Sequence, residues 1–236
     1  MRLLVTRPQA EAERTAQALR RLGHKVVLAP MLQIEPVQAS LDAGRWSAIM
    51  MTSGNAARAI AQHSARTALA GLPVFAVGRQ TAVAAREAGF ADVVSAEGDA
   101  GDLAQLVRTR ASKHGPLLYL AGNDISRDLA GELAKSGIAV ETVVIYRAEA
   151  VGALPDDARE ALASGALDGV LHYSRRSANI FLDCVAEPRL RDAARPLIHY
   201  CLSRRVAEPL AGQGFADVRV ASGPQEAAML DLVARG

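Results

Sequence analysis

Two patterns in this chain recur, and they recur interleaved. Gly89-Phe90-Ala91-Asp92-Val93 returns 125 residues later as Gly214-Phe215-Ala216-Asp217-Val218. Leu3-Leu4-Val5, Leu19, Gly23 and Val26 return 114 residues later as Leu117-Leu118-Tyr119, Leu133, Gly137 and Val140. The order along the chain is a, b, a′, b′, where a is a strand–helix–strand unit and b is longer. Two similar α/β domains follow, and a protein of that build is expected to work in the cleft between them.

The periodicity fills in the units. Leu3 to Thr6 reads as a buried strand. The helix after Arg7-Pro8 carries Ala12, Ala16 and Leu19 on one face and ends at Gly23. Lys25 to Leu28 is the next strand. Unit b starts with the apolar strand Ala48 to Thr52, and Ser53-Gly54-Asn55 opens a helix running to about His63. Strands at Pro73–Val77 and Asp92–Ser95 follow, with a tight turn at Gly78 and helices at Gln80–Ala88 and Asp102–Arg110. Unit a′ ends in a strand from Thr142 to Tyr146. The strands Gly169–Ser174, Pro196–Leu202 and Asp217–Ala221 and the helices Arg175–Leu182, Arg204–Ala211 and Gln225–Val233 repeat unit b. Strands alternating with helices predict an α/β protein with parallel sheets covered by helices on both faces.

Two stretches stand out as linkers. Pro30 and Pro36 bracket an extended segment, Met31 to Glu35. Arg147 to Ala153 is polar and irregular before Pro155 starts the next helix. Both flank b plus a′. The expected organisation is therefore a discontinuous domain of residues 1–35 plus 153–236, with an inserted domain of residues 38–145.

Composition narrows the function. The chain is 50% hydrophobic and 22% charged, with a net charge of +2, so it is globular and poorly suited to neutralising a nucleic-acid backbone. Leu3-Leu4-Val5 is too short for a secretory signal or a membrane span. A cytoplasmic protein acting away from membranes is expected, with Cys184 and Cys201 as buried free thiols. There is no Walker loop, no G-x-G-x-x-G and no G-x-S-x-G elbow. His24, His63, His114, His172 and His199 show no metal-ligand spacing. Nothing in the sequence suggests a cofactor, a metal or a covalent nucleophile.

What the expected strand ends do carry is small hydroxyls and backbone donors: Thr52-Ser53-Gly54-Asn55, Val77-Gly78-Arg79-Gln80-Thr81, Ala121-Gly122-Asn123 and Tyr173-Ser174-Arg175. Each lies where ligands bind in open α/β sheets, and each is read as opening a helix whose free N–H groups favour anions. One such Ser or Thr is an ordinary helix cap. Several together point to a ligand with many carboxylates.

Five motifs in order, Leu4-Val5-Thr6-Arg7-Pro8, Thr52-Ser53-x-Asn55-Ala56, Ala76-Val77-Gly78-x-x-Thr81-Ala82, Gly122-x4-Arg127-x-Leu129 and Val144-Ile145-Tyr146-Arg147, resemble the uroporphyrinogen-III synthase family over essentially the whole chain. The resemblance implies two flavodoxin-like domains joined by a two-strand linker, the middle one inserted. It implies a cofactor-independent hydro-lyase of haem biosynthesis, expected to be monomeric, with one small-molecule partner. That substrate, hydroxymethylbilane, loses water and closes to a macrocycle with its last pyrrole ring inverted. Its many carboxylates give the anion-binding helix ends a purpose. The pyrrole nitrogen expels the hydroxyl, so a weak acid suffices, and the enzyme chiefly holds one bent geometry.

Tyr146 matches the family's proposed acid, and a free phenol with a pKa near ~10 is protonated at neutral pH. The substrate-binding residues implied are Arg7, Ser53, Asn55, Gly78, Thr81, Gly122, Asn123, Arg127, Ser174 and Ser203. The last unit departs from the family. Ser203-Arg204-Arg205-Val206-Ala207 stands where Gly-Pro-Thr-Thr-Ala is usual, and Tyr173-Ser174-Arg175-Arg176-Ser177 keeps only Ser174 of Thr-Ser-Pro-Ser. No threonine role carries over there, while Ser174, Ser203 and the added arginines remain suited to carboxylates. The competing reading is a non-catalytic two-domain binding protein that senses an anionic metabolite by hinge closure.

Overall fold

The computed structural model describes residues 1–42, 44–111, 115–125 and 127–235; His114 lies outside them. β1 (Arg2–Val5), α1 (Gln9–Arg21) and β2 (Lys25–Leu28) open the chain, and β3 (Leu32–Pro36) leads away from them. β4 (Ala48–Met51), α2 (Gly54–Ala61), α3 (Arg66–Leu69), β5 (Val74–Ala76), α4 (Arg79–Glu87), β6 (Val93–Ser95) and α5 (Ala100–Arg110) follow. Next come β7 (Leu117–Gly122), α6 (Leu129–Ala134) and a long β8 (Val140–Ala150). After these stand α7 (Asp156–Ala163), β9 (Gly169–His172), α8 (Arg175–Cys184), α9 (Pro188–Ala194) and β10 (Ile198–Cys201). α10 (Arg204–Ala207), β11 (Asp217–Val220) and α11 (Glu226–Ala234) complete the described elements.

The chain divides into two compact units. A split unit holds Met1–Gln33 and Glu149–Gly236, and an inserted unit holds Ile34–Ala148. The split unit's sheet runs β11-β10-β9-β1-β2, and the other sheet runs β3-β8-β7-β4-β5-β6. Strands β1, β2 and β9 to β11 pair in parallel, as do β4 to β8. The interleaved repeat thereby acquires a structural meaning. β2-β1-β9-β10-β11 corresponds in order to β8-β7-β4-β5-β6, so each unit contains one copy of a and one of b, joined in opposite sequence. Counted within the split unit the order is the flavodoxin-like one; the inserted unit is its circular permutation.

The glycines that make the repeat visible share a backbone reason. Gly23, Gly89, Gly137 and Gly214 have φ of 85°, 92°, 74° and 78°, the left-handed region where a Cβ is penalised; the first three follow the end of a helix, and Gly214 lies in the turn after the 3-10 segment, each before a strand.

Burial explains the rest. Every residue of β4, β7 and β9 is buried, as strands covered on both faces must be. In the inserted unit Ile49, Met51, Leu118 and Leu120 pack with Ala56, Ile60, Ala82 and Ala85 of α2 and α4. Met50, Phe75, Leu117 and Tyr119 turn to the other face, toward Leu103, Val107, Leu129 and Leu133 of α5 and α6. The split unit repeats this scheme. Leu4, Val27 and Val170 meet α7 and α8, while Leu3, Val5 and Leu171 meet α1 and α11.

Two sequence expectations need correction. The Arg147–Ala153 stretch is not irregular at its start, because β8 continues through Ala150. The segment at Met31–Glu35 is extended as expected, and it pairs as β3 beside β8. The helix expected at Arg204–Ala211 stops at Ala207 and tightens into a 3-10 turn over Glu208–Leu210. Pro209 offers no N–H to continue an α-helix, which forces the change. Of the two thiols, Cys201 is buried and Cys184 is half-buried.

Two histidines lie inside the split unit. His172 and His199 are fully buried, with parallel rings, and His172 Nε2 sits 3.1 Å from His199 Nδ1. His199 Nε2 is 3.2 Å from the carbonyl oxygen of Ala194. A carbonyl only accepts, so His199 carries its proton on Nε2 and His172 donates through Nε2. That leaves His172 Nδ1 as a buried bare acceptor. The pair is consistent only when both rings are neutral.

Candidate functional site

The helix starts of the two units differ in charge, and the difference sorts the anion sites expected from the sequence. α2 and α4 in the inserted unit, and α8 and α10 in the split unit, have no acidic residue in their first turns. α1 carries Glu11, α5 Asp102, α6 Glu132, α7 Asp156 and Asp157, and α11 Glu226. A carboxylate in the first turn satisfies the helix dipole from within and repels an incoming anion. α5 goes furthest, since Asp99 and Asp102 close a reciprocal capping box over its free N–H groups. Gly101 and Asp102 amides hold the Asp99 carboxyl below the usual range. α3 and α9 also lack a first-turn acid but follow another helix; of the helices that directly follow a strand, those after β4, β5, β9 and β10 are the ones without one.

Ser53 caps α2, accepting from the Asn55 amide at 3.1 Å, while Asn55 Oδ1 accepts from Arg58 at 2.6 Å. Gly78 caps α4 with no side-chain bond to the first turn. Its φ of −157° is ordinary extended backbone, so the tight turn expected there does not need a glycine. A Cβ on Gly78 would meet only the Gly98 carbonyl at 3.9 Å, leaving the α4 start open. Thr81, the third residue of α4, is 5% exposed and lies on the helix's buried side with Ala82 and Ala85. Ser174 caps α8 through the Ser177 amide at 3.0 Å, and Ser203 caps the four-residue α10 through Val206 at 3.4 Å.

Gly122 and Asn123 do not open a helix, contrary to expectation; α6 starts at Leu129 under an Asp128 cap. They meet Tyr146 instead. Gly122 stands opposite Tyr146 across a register shift at Ala121/Gly122, and the phenol lies over the Gly122 backbone. The Asn123 amide donates to the Tyr146 carbonyl at 3.1 Å, and Asn123 Oδ1 accepts from the Ala148 amide at 3.2 Å.

Arg7 and Arg127 are already engaged. Arg7 lies 4.3 Å over the Tyr173 ring and donates to Glu226 and Thr15, both at 3.1 Å. Thr15 donates to the same Glu226 oxygen at 2.5 Å. Burial, then the Glu226 carboxylate, pushes the Tyr173 phenol up to about 12. Its hydroxyl lies beside Thr15 and Arg7 but in hydrogen-bonding geometry with neither. Arg127 forks onto Glu132 at 2.7 and 2.9 Å, and that bond raises its pKa.

One hydroxyl near this site escapes the motif reading. Tyr119, buried in β7, is 2.8 Å from Thr52 Oγ1. Burial raises its pKa, the Thr52 bond lowers it, and Tyr146 raises it further. A tyrosine inside an otherwise apolar strand is the signal, since a buried phenol needs a partner. Among the described residues no group of three or more His, Cys, Asp or Glu gathers as for a metal ion, and no helix is long and apolar enough to cross a membrane.

Fold and site define a two-unit, doubly wound α/β protein with anion-receptive helix starts at the carboxyl ends of its strands. The family model described as Uroporphyrinogen-III synthase HemD matches residues 13–231, and the chain belongs to this family. It is similar in fold to uroporphyrinogen-III synthetase from Helicobacter pylori 26695, at 18% identity and a TM-score of 0.66, over 100% of this chain and 99% of that one. A mutant uroporphyrinogen III synthase from the extremely thermophilic bacterium Thermus thermophilus matches at 20% identity and a TM-score of 0.49, covering 100% and 98%. No curated protein matches the chain.

Proposed function

We propose that this chain closes hydroxymethylbilane to uroporphyrinogen III, losing water and inverting the last pyrrole ring. It does so as a cofactor-independent hydro-lyase, monomeric and cytoplasmic, with residues 1–35 plus 153–236 and 38–145 as its domains. The family match across residues 13–231 carries the reading and favours catalysis over a non-catalytic binder. Tyr146 is the acid. Its hydroxyl donates a proton to the departing oxygen as the pyrrole nitrogen pushes water out, leaving an azafulvenium cation that the terminal ring attacks at its substituted carbon. Ser53, Asn55 and Gly78 hold substrate carboxylates through the starts of α2 and α4, and Ser174 and Ser203 offer the same at α8 and α10. Thr81 contributes backbone rather than hydroxyl, and Arg7 and Arg127 serve only by exchanging Glu226 and Glu132 for a substrate carboxylate. The test is to supply fresh hydroxymethylbilane and separate isomers III and I by chromatography. Isomer I alone, at the unassisted rate, would exclude the activity.

The first-turn charges make a sharper check on the ligand. Gln80 is exposed at the second position of α4. Gln80→Glu should steady the helix through its dipole while raising KM, because an acid there occupies the anion's place. A dipole interaction of ~0.3–1 kcal/mol corresponds to a roughly two- to fivefold change in KM. Gln105→Glu, on the exposed face of α5, should leave KM alone. Equal effects from the two variants would show that net charge, not the α4 start, governs binding.

A further inference from the structure

Taking Tyr146 as the acid proposed above, we infer that Gly122 and Asn123 are positioning residues for it and do not contact substrate. A Cβ built on Gly122 would lie 2.6 Å from Tyr146 Cζ and 2.8 Å from both Cε2 and the hydroxyl oxygen. Carbon atoms in contact sit ~3.5–4.0 Å apart, so even one methyl group evicts the ring. Gly122 is not among the glycines with positive φ; its backbone therefore accepts alanine, and what glycine supplies here is the missing atom. The phenol is laid along bare main chain at the end of β7, with the hydroxyl end over the glycine.

Asn123 fixes the other side of the same joint. The β7–β8 register shifts between Ala121 and Gly122, and its last paired residues are Gly122 and Tyr146. The Asn123 amide takes the Tyr146 carbonyl, and its side-chain oxygen takes the Ala148 amide. The side chain thus continues the ladder for one more step and pins the backbone on both sides of Arg147. Ring and main chain of Tyr146 are held by adjacent residues of one strand, all inside the inserted unit. The Asn123 side-chain oxygen is thereby committed to the β8 backbone, leaving only its NH2 group for any other partner.

The experiment compares Gly122→Ala, Tyr146→Phe and the double variant for kcat, KM and isomer ratio, alongside the tyrosine ring resonances of isotope-labelled protein. The chain has four tyrosines, and Tyr146→Phe identifies the resonance of Tyr146. Gly122→Ala should shift that resonance while those of Tyr173 and Tyr200 stay, which also shows that the variant folds. It should lower kcat roughly 10²-fold, the scale of an ångström-sized misplacement, with KM within about twofold of wild type. The double variant should be no slower than Tyr146→Phe alone, because a misplaced phenylalanine has no proton to lose. Asn123→Ala should act in the same direction, more weakly. Additive losses in the double variant, or a KM rise dominating Gly122→Ala, would assign Gly122 to substrate and overturn the inference. An unmoved Tyr146 resonance would overturn it outright. If Tyr146→Phe keeps full rate while the resonance still moves in Gly122→Ala, the acid role fails and the positioning stands.

Discussion

Tyr146→Phe should lower turnover roughly 10²-fold or somewhat more, the range expected when general-acid assistance is lost, while the product formed on the enzyme remains isomer III. The substitution keeps the ring, and the ring packs against the inserted unit's buried core and over Gly122. Only the hydroxyl goes. Departure of water then depends on solvent for its proton, and the rate falls. Ring inversion is a question of how the bent chain is held, and the groups holding its carboxylates are untouched. KM should change little, since the phenol is one contact among many. Rate and isomer choice should therefore separate, which chromatographic separation of the products during a timed assay will show. A variant with near-wild-type turnover would make the tyrosine structural. A shift toward isomer I would mean the phenol also shapes the fold of the substrate.

The architecture is legible in the sequence because its signals are local. Gly23, Gly89, Gly137 and Gly214 mark turns that need positive φ, and the apolar runs at Ala48–Met51 and Leu117–Gly122 are strands buried on both faces. The end of β8 reads as irregular, and β3 only as an extended segment, for the opposite reason. Their residues are largely exposed, so no hydrophobic period betrays a strand. What makes them strands is pairing, beside which Val37 donates to Ile145 at 2.8 Å, and pairing is invisible one residue at a time. The site divides in the same way. Ser53, Ser174 and Ser203 are readable as caps because a cap is a matter of neighbours in sequence, and the absence of nearby acids is readable there too. That Gly122 lies under a phenol, or that Tyr119 reaches Thr52, depends on the register of β4, β7 and β8. Those facts belong to tertiary structure alone.

Acid should unfold the split unit early, through the histidine pair. Burial holds the His172 imidazole well below its usual range, with the neighbouring His199 adding to the effect, and burial brings His199 down to about 4. Unfolded, both titrate near the ordinary value of ~6.5. Between those limits the unfolded chain binds protons that the native one refuses, so stability falls as pH falls. It is fully present above about pH 6.5 and is lost as pH drops toward the folded values. At pH 5 each imidazole that stays neutral in the native state costs roughly 2 kcal/mol of stability. Protonating the pair in place is no escape. His199 would lose the acceptor that serves His172, two cations would stack face to face, and His172 Nδ1–H would find no partner in the core. Urea unfolding at pH 7.5 and at pH 5, followed by circular dichroism, should show a clearly lower midpoint at the acid pH. His199→Phe, which removes one titrating ring, should narrow that difference even though it lowers stability at pH 7.5. An unchanged wild-type midpoint at pH 5 would show that the split unit accommodates a charged pair, contrary to the tautomers set by the Ala194 carbonyl.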